Sequence, residues 1–104
     1  MALTLRFHRL FLADVEEYGD WFEEQLTGLA DEFAAELELA LRSLSDRPLS
    51  YRVVWKHYRR VLMRRFRILI PFEVVEDTVL VLGVVHGTRD LPSWIQRRTT
   101  DQGP

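Results

Sequence analysis

The 104-residue chain is predicted to fold as an α+β domain. The expected order is an N-terminal strand, an antiparallel helical hairpin packed on one face of a small, mostly antiparallel sheet, and a short C-terminal helical turn. Three observations carry this. Residues 14–47 hold two apolar stripes at helical spacing, residues 58–86 hold β-rich runs without such a stripe, and the link between the two stripes is only two or three residues long.

Leu3-Thr4-Leu5-Arg6-Phe7-His8 alternates apolar and polar residues, the period of a half-buried strand. After Asp14 the period changes: Val15, Tyr18, Phe22 and Leu26 recur at helical spacing among acidic residues. Asp14 is expected to cap this helix, with Glu17 three residues later completing a variant of the capping box. Gly28 ends it, and a second stripe begins at once: Leu29, Phe33, Leu37, Leu41 and Leu44. Asp31 and Glu32 in its first turn and Arg42 near its end suit the helix dipole, and Pro48 stops it.

Three strands are expected next, over Tyr58–Met63, Arg67–Val75 and Thr78–His86, with a tight hairpin at Glu76-Asp77. The run Val79–Val85 is apolar at both parities, so its strand is expected to be covered on both faces. Gly83 suits the close approach of backbone or of a bulky neighbour, and Pro71, which lacks a donor, calls for a bulge or an edge position. Leu91-Pro92-Ser93-Trp94 opens a last helical turn. One domain is expected over residues 1–104, with 95–104 as a frayed tail.

Composition narrows the chemistry. The chain has no cysteine, which excludes disulfides, thiolate metal sites and a cysteine nucleophile. Its seven-residue apolar run, Val79–Val85, is far short of the roughly 20 residues that span a bilayer, and no secretory signal is visible. A cytoplasmic location is the expectation. The net charge of −2 conceals an asymmetry: residues 1–50 carry four arginines against eleven acids, whereas residues 51–104 carry ten Lys/Arg against five. Seven of those cations lie between Arg52 and Arg67, where no acid occurs. So dense a block anticipates an anionic partner, protein or nucleic acid. Trp55, Tyr58 and Phe66, interleaved with it, offer stacking surfaces to a nucleic acid, while pairing with the acids of residues 14–38 is the plainer alternative. An acidic partner protein is ranked slightly ahead, since a dedicated nucleic-acid domain seldom carries an acidic half.

Catalytic signatures are sparse. His8, His57 and His86 show no metal-ligand spacing, the five glycines form no phosphate loop, and no nucleophile elbow occurs. No metal or cofactor is expected. The polar turn His86-Gly87-Thr88-Arg89-Asp90 follows directly on a buried strand, which puts His86 and Arg89 at a strand end where side chains can converge on an anionic ligand; a local Arg89–Asp90 turn clamp is the equal alternative, and Trp94 reads as a core plug.

Tyr58-Arg59-Arg60-Val61-Leu62, Phe66–Val74 and Asp77–Asp90, the last ending in His86-Gly87-Thr88-Arg89-Asp90 with Trp94 shortly after, resemble the RelE/ParE toxins of type II toxin–antitoxin modules over residues 3–94. The resemblance implies a toxin neutralised by a cognate antitoxin that lays an amphipathic helix on the hairpin and an extended stretch along the sheet. The expected helix groove is Tyr18, Trp21, Phe22, Phe33 and Leu37; the expected anion-binding residues are Arg59, Arg60, Arg64, Arg65, Arg67 and Arg89. The family holds two activities. RelE-like members cut messenger RNA on the ribosome with basic residues on the sheet, and ParE-like members poison DNA gyrase. Where the family often has Phe-Pro-Tyr and a later tyrosine, this chain has Phe66-Arg67-Ile68 and Phe72, and its tail beyond Trp94 holds no Tyr or His. A ParE-like, non-enzymatic gyrase inhibitor is therefore favoured. The alternatives are a metal-independent ribonuclease drawing on Lys56, His57, Arg60, Arg64, His86 and Arg89, and a non-toxic binding module.

Overall fold

The computed structural model describes residues 3–100. In chain order these form β1 (Thr4–Phe7), α1 (Phe11–Gln25), α2 (Leu29–Asp46), a 3-10 turn (Pro48–Ser50), β2 (Val53–Trp55), β3 (Tyr58–Met63), β4 (Ile68–Val75), β5 (Thr78–Val81), β6 (Val85–His86) and α3 (Leu91–Thr100). The expected α+β class is the observed one. The strands form one sheet in the order β1-β5-β4-β3-β2, with β6 also on β4. All pairs are antiparallel except β1 with β5, which run parallel because the helical hairpin carries the chain back before the sheet is built.

The hairpin covers one face of the sheet. Phe22 of α1, Phe33 of α2 and Phe66 of the β3–β4 turn meet there with ring centroids 4.9–5.4 Å apart, mostly edge-on. Val61, Ile70, Phe72, Val79 and Val81 complete this core. Fully burying side chains of this kind is worth roughly 1.5–3 kcal/mol each. The opposite face carries a second, smaller core of Leu69, Leu82, Val85, Leu91, Trp94 and Ile95. The run from Val79 is thus covered on both sides, as its double parity requires.

Four details differ from expectation. First, α1 starts at Phe11, and Leu10, not Asp14, is its N-cap residue. The periodic stripe begins with Phe11, which packs against the main core, and the His8 imidazole Nδ1 accepts the Leu10 N–H at 3.1 Å. Asp14 lies within the first turn and works elsewhere.

Second, the strand expected over Thr78–His86 is broken into β5 and β6. Phe72 faces Val81 and Leu69 faces Val85, so three residues of one strand oppose two of the other: a one-residue bulge at 82–84. The cause is Pro71. Its carbonyl accepts the Leu82 N–H at 2.9 Å, but it has no N–H to return, and the ladder gives way at that point.

Third, the chain does not fray at residue 95. α3 runs to Thr100, Ile95 is fully buried and Trp94 nearly so. Residues 101–104 of the expected tail lie outside the described residues. Fourth, α3 covers part of the sheet face that the hairpin leaves open, so only part of that face remains for function.

Candidate functional site

The β3–β4 hairpin sorts the basic block by strand parity. Arg59 and Val61 face the helical layer, whereas Tyr58, Arg60 and Leu62 face the other side. Arg59 donates to the carbonyls of Tyr51 (2.7 Å) and Leu49 (3.3 Å), tying down the segment that leads into β2. Arg65 reaches α2, where its guanidinium pairs with Glu32 and, at 2.9 Å, with Glu36. These carboxylates hold the Arg65 pKa above its already high ordinary value. Two of the six expected anion-binding residues are therefore engaged within the fold, and the plainer reading, arginines pairing with helical acids, is true of Arg65.

Arg60, Arg64 and Arg67 remain. They line a shallow depression of about 470 Å³ together with Leu62, Leu69 and Gly87. Among the described residues no carboxylate pairs with any of the three. Arg67 holds φ at +56°, a left-handed conformation costing a non-glycine residue about 1–2 kcal/mol, and its carbonyl accepts the Gly87 N–H at 2.8 Å. The turn after β6 is thereby pinned to the arginine hairpin.

That turn divides the remaining candidates. Gly87 lines the arginine depression, while His86 and Arg89 line a separate cleft of about 450 Å³ against α1, with Tyr18, Trp21 and Phe22 as its apolar wall and Glu17, Asp20 and Glu24 as its acidic rim. Arg89 thus belongs to the cleft rather than to the arginine patch. The His86 ring Nδ1 contacts Thr88 Oγ1 at 2.9 Å, which orients it within its own turn. Of the expected helix groove, Tyr18, Trp21 and Phe22 face the cleft, and Trp21 is 52% exposed. Phe33 and Leu37 do not: they are 1% and 6% exposed, inside the core under the sheet. Period-based reading places them on the right helix but cannot tell a groove from the core it covers. Phe66, offered as a stacking surface, is likewise buried.

A third constellation sits at the other end of the sheet. His57 Nε2 lies 2.5 Å from Glu73 Oε2, and the Tyr58 hydroxyl sits near Glu73 and Thr99. Burial, and then the Glu73 charge, raise the Tyr58 pKa above its ordinary value. Trp55 stacks on Tyr58 at 5.8 Å, and Lys56 lies 4.5 Å over the Trp55 ring. Glu73, Tyr58 and Thr99 escaped sequence reasoning as a group. The available signal was parity, since Tyr58 and Glu73 fall on one face once β3 and β4 are paired. The six candidate ribonuclease residues are therefore spread over three places: Lys56 over Trp55 and His57 on Glu73 at one end of the sheet, Arg60 and Arg64 in the depression, His86 and Arg89 in the cleft. Among the described residues no group of three His, Asp or Glu side chains is placed to hold a metal ion, and no helix is long and apolar enough to cross a membrane.

This architecture is the fold of the RelE/ParE superfamily of toxins. A chain of the chromosomal ParDE toxin–antitoxin system from P. aeruginosa superposes with a TM-score of 0.72 at 15% identity, covering 82% of this chain and 96% of that one. A double arginine-to-alanine mutant of E. coli toxin RelE in the free state superposes at 0.65 with 16% identity, over 93% and 98% of the two chains. The toxin–antitoxin complex RelBE2 from Mycobacterium tuberculosis gives 0.57 at 22% identity, over 83% and 99%. In sequence, Toxin ParE2 of M. tuberculosis is 25% identical over 91 residues, 84% of each chain. The family model for the ParE toxin of type II toxin–antitoxin systems, parDE, matches residues 5–91, and this chain belongs to that family.

Proposed function

We propose that this toxin acts in the cytoplasm by binding protein, with DNA gyrase as its target, and that a cognate antitoxin neutralises it. One observation supports the reading against RNA cleavage: among the described residues, the depression where the arginines without a carboxylate partner converge is lined by Arg60, Leu62, Arg64, Arg67, Leu69 and Gly87. Metal-independent cleavage of RNA needs one group to take the 2′-hydroxyl proton and another to protonate the leaving oxygen. Guanidinium groups stay charged and are poor at both tasks. The chain's imidazoles near the sheet lie elsewhere, His57 on Glu73 and His86 in the α1 cleft.

The antitoxin is supported by family membership and by the similar solved structures, a chromosomal ParDE toxin–antitoxin system and the RelBE2 toxin–antitoxin complex. Its helix fits the cleft walled by Tyr18, Trp21 and Phe22, where a half-exposed tryptophan beside an apolar wall has the make-up of a binding anchor.

Expression of the chain alone, scored for growth, DNA breaks and messenger RNA ends, tests the proposal. Gyrase-dependent breaks suppressed by the antitoxin are expected. Codon-linked cuts in messenger RNA overturn it in favour of a ribonuclease, and unimpaired growth in favour of a binding module without toxicity.

A further inference from the structure

Each amide of the turn after β6, from His86 to Arg89, is held. The Tyr18 hydroxyl accepts the His86 N–H at 2.9 Å, the Arg67 carbonyl accepts the Gly87 N–H at 2.8 Å, and the His86 carbonyl accepts the Arg89 N–H at 3.1 Å. The remaining amide, that of Thr88, donates to the His86 ring at Nδ1, 3.2 Å away. An amide N–H only donates, so Nδ1 presents a lone pair and the ring hydrogen sits on Nε2. The Thr88 hydroxyl meets the same lone pair at 2.9 Å and therefore directs its own hydrogen at the ring.

A hydroxyl aimed at an imidazole lone pair is a nucleophile paired with its base, for which the working separation is about 2.6–3.2 Å. Ser45, Ser50, Thr99 and Thr100 donate instead to backbone carbonyls, which accept a hydrogen bond but are not bases. Thr88 is exposed, so a reagent can reach it, and the pinned turn already holds the pair in place. Arg89 follows directly. It is exposed and has no carboxylate partner among the described residues, so its guanidinium is available to an anionic group beside the hydroxyl. The acidic rim of the adjoining cleft, Glu17, Asp20 and Glu24, disfavours a polyanion such as a nucleoside triphosphate and admits a small donor with a single phosphate.

We infer that Thr88 is a self-acylation site that takes the acyl group of a small acyl phosphate, with His86 as the base and Arg89 holding the phosphate. Thr88 Oγ1 bonds to the carbonyl carbon while its proton passes to His86 Nδ1. The bond from that carbon to the bridging phosphate oxygen then breaks. Inorganic phosphate departs with the proton, and Thr88 is left as an ester.

The test incubates the full chain with acetyl phosphate and locates the product by peptide mass mapping. An acetyl group on Thr88 is expected, removed by hydroxylamine as an ester is, whereas an amide on Lys56, the one lysine of the chain, survives that treatment. Thr88→Val is expected to abolish the label and Thr88→Ser to keep it. His86→Asn retains an acceptor for the Thr88 N–H but no base, and is expected to slow labelling about a hundredfold with circular dichroism unchanged. Arg89→Gln is expected to slow labelling by acetyl phosphate roughly tenfold more than labelling by p-nitrophenyl acetate, which has no phosphate to hold. Label confined to Lys56 or the N-terminus, a phosphoryl in place of an acetyl group on Thr88, or undiminished labelling of His86→Asn overturns the inference.

Discussion

Arg98, near the end of α3, grips Asp14, in the first turn of α1, with both arms: its guanidinium nitrogens lie 2.8 and 3.1 Å from the two carboxylate oxygens. The pair is mostly buried, with side chains 12% and 16% exposed. Arg98 also donates to the Leu82 carbonyl at 2.9 Å and stacks 4.5 Å over the Trp94 ring, while Asp14 accepts the Val84 N–H. One ion pair thus satisfies the backbone at the β5–β6 bulge and fastens α3 to the sheet. Breaking such a pair leaves the partner charge half-buried and uncompensated, at about 2–4 kcal/mol after allowance for its residual exposure. Arg98→Ala should lower unfolding stability in urea by that order. A loss below 0.5 kcal/mol, roughly the scale of a surface substitution, contradicts the assignment.

Gly83 makes room for this pair. A Cβ at that position would stand 2.3 Å from Asp14 Oδ2 and 2.6 Å from the Arg98 guanidinium, closer than real atoms come. Gly83→Ala must therefore displace the ion pair, and its cost should approach that of Arg98→Ala rather than the few tenths typical of an exposed glycine. Combining the two substitutions tests the link. If Gly83→Ala acts through the pair, the double variant should be markedly less destabilised than the sum of the singles.

The Asp14–Arg98 pair also marks where sequence reading stops. The helical stripes, the strand runs, the Glu76-Asp77 hairpin and the trouble at Pro71 were legible, because each follows from local periodicity or from a missing donor. Asp14 carried a plausible local role, helix capping, and nothing nearby contradicted it; its actual partner is 84 residues away. The same holds for Arg65, indistinguishable in the sequence from Arg64 until α2 places Glu32 and Glu36 beside it. Charge asymmetry located the basic hairpin, but only parity and long-range pairing separate the arginines that are occupied from those that are not.

Tyr58 offers a spectroscopic check on the cluster at the far end of the sheet. Burial chiefly, and the Glu73 charge after it, raise its pKa above the ordinary value of about 10. A phenol whose folded pKa is raised favours the folded state while it stays protonated. That contribution is fully present below pH 10 or so and is lost as pH rises through the folded value. Phenolate absorbance at 295 nm should therefore show one tyrosine titrating late. Glu73→Gln should move that titration toward the ordinary value, and a titration that Glu73→Gln leaves in place argues against the contact.

Glu23 caps α2 from the preceding helix. Its carboxylate accepts the N–H of Gly28 at 3.0 Å and of Ala30 at 3.1 Å, and these backbone donors lower its pKa. The Gly28 residue that opens α2 has φ at +90° and no side chain to do this work. For a carboxylate with a depressed folded pKa, the stabilisation is present above the unfolded value and is lost as pH falls through the folded one. Melting temperature measured from pH 6 downward should decline less steeply in Glu23→Gln than in the parent chain. Parallel declines would show that the cap does not titrate with folding.

Adjacent arginines give the sharpest functional contrast. Arg64 lines the depression without a carboxylate partner among the described residues, whereas Arg65 is held by Glu32 and Glu36 and lies 4.9 Å over the Phe66 ring. A free guanidinium facing an acidic partner contributes to affinity and to its salt dependence; one already paired at home contributes little to either. In titration against the antitoxin, Arg64→Ala is expected to weaken binding several-fold and to flatten its dependence on salt. Arg65→Ala is expected to leave affinity within twofold while lowering the melting temperature of the free toxin, since it unfastens the β3–β4 turn from α2. Equal effects of the two substitutions on affinity would mean that the partner meets the block as undifferentiated charge, and the sorting by strand parity would then have no part in recognition.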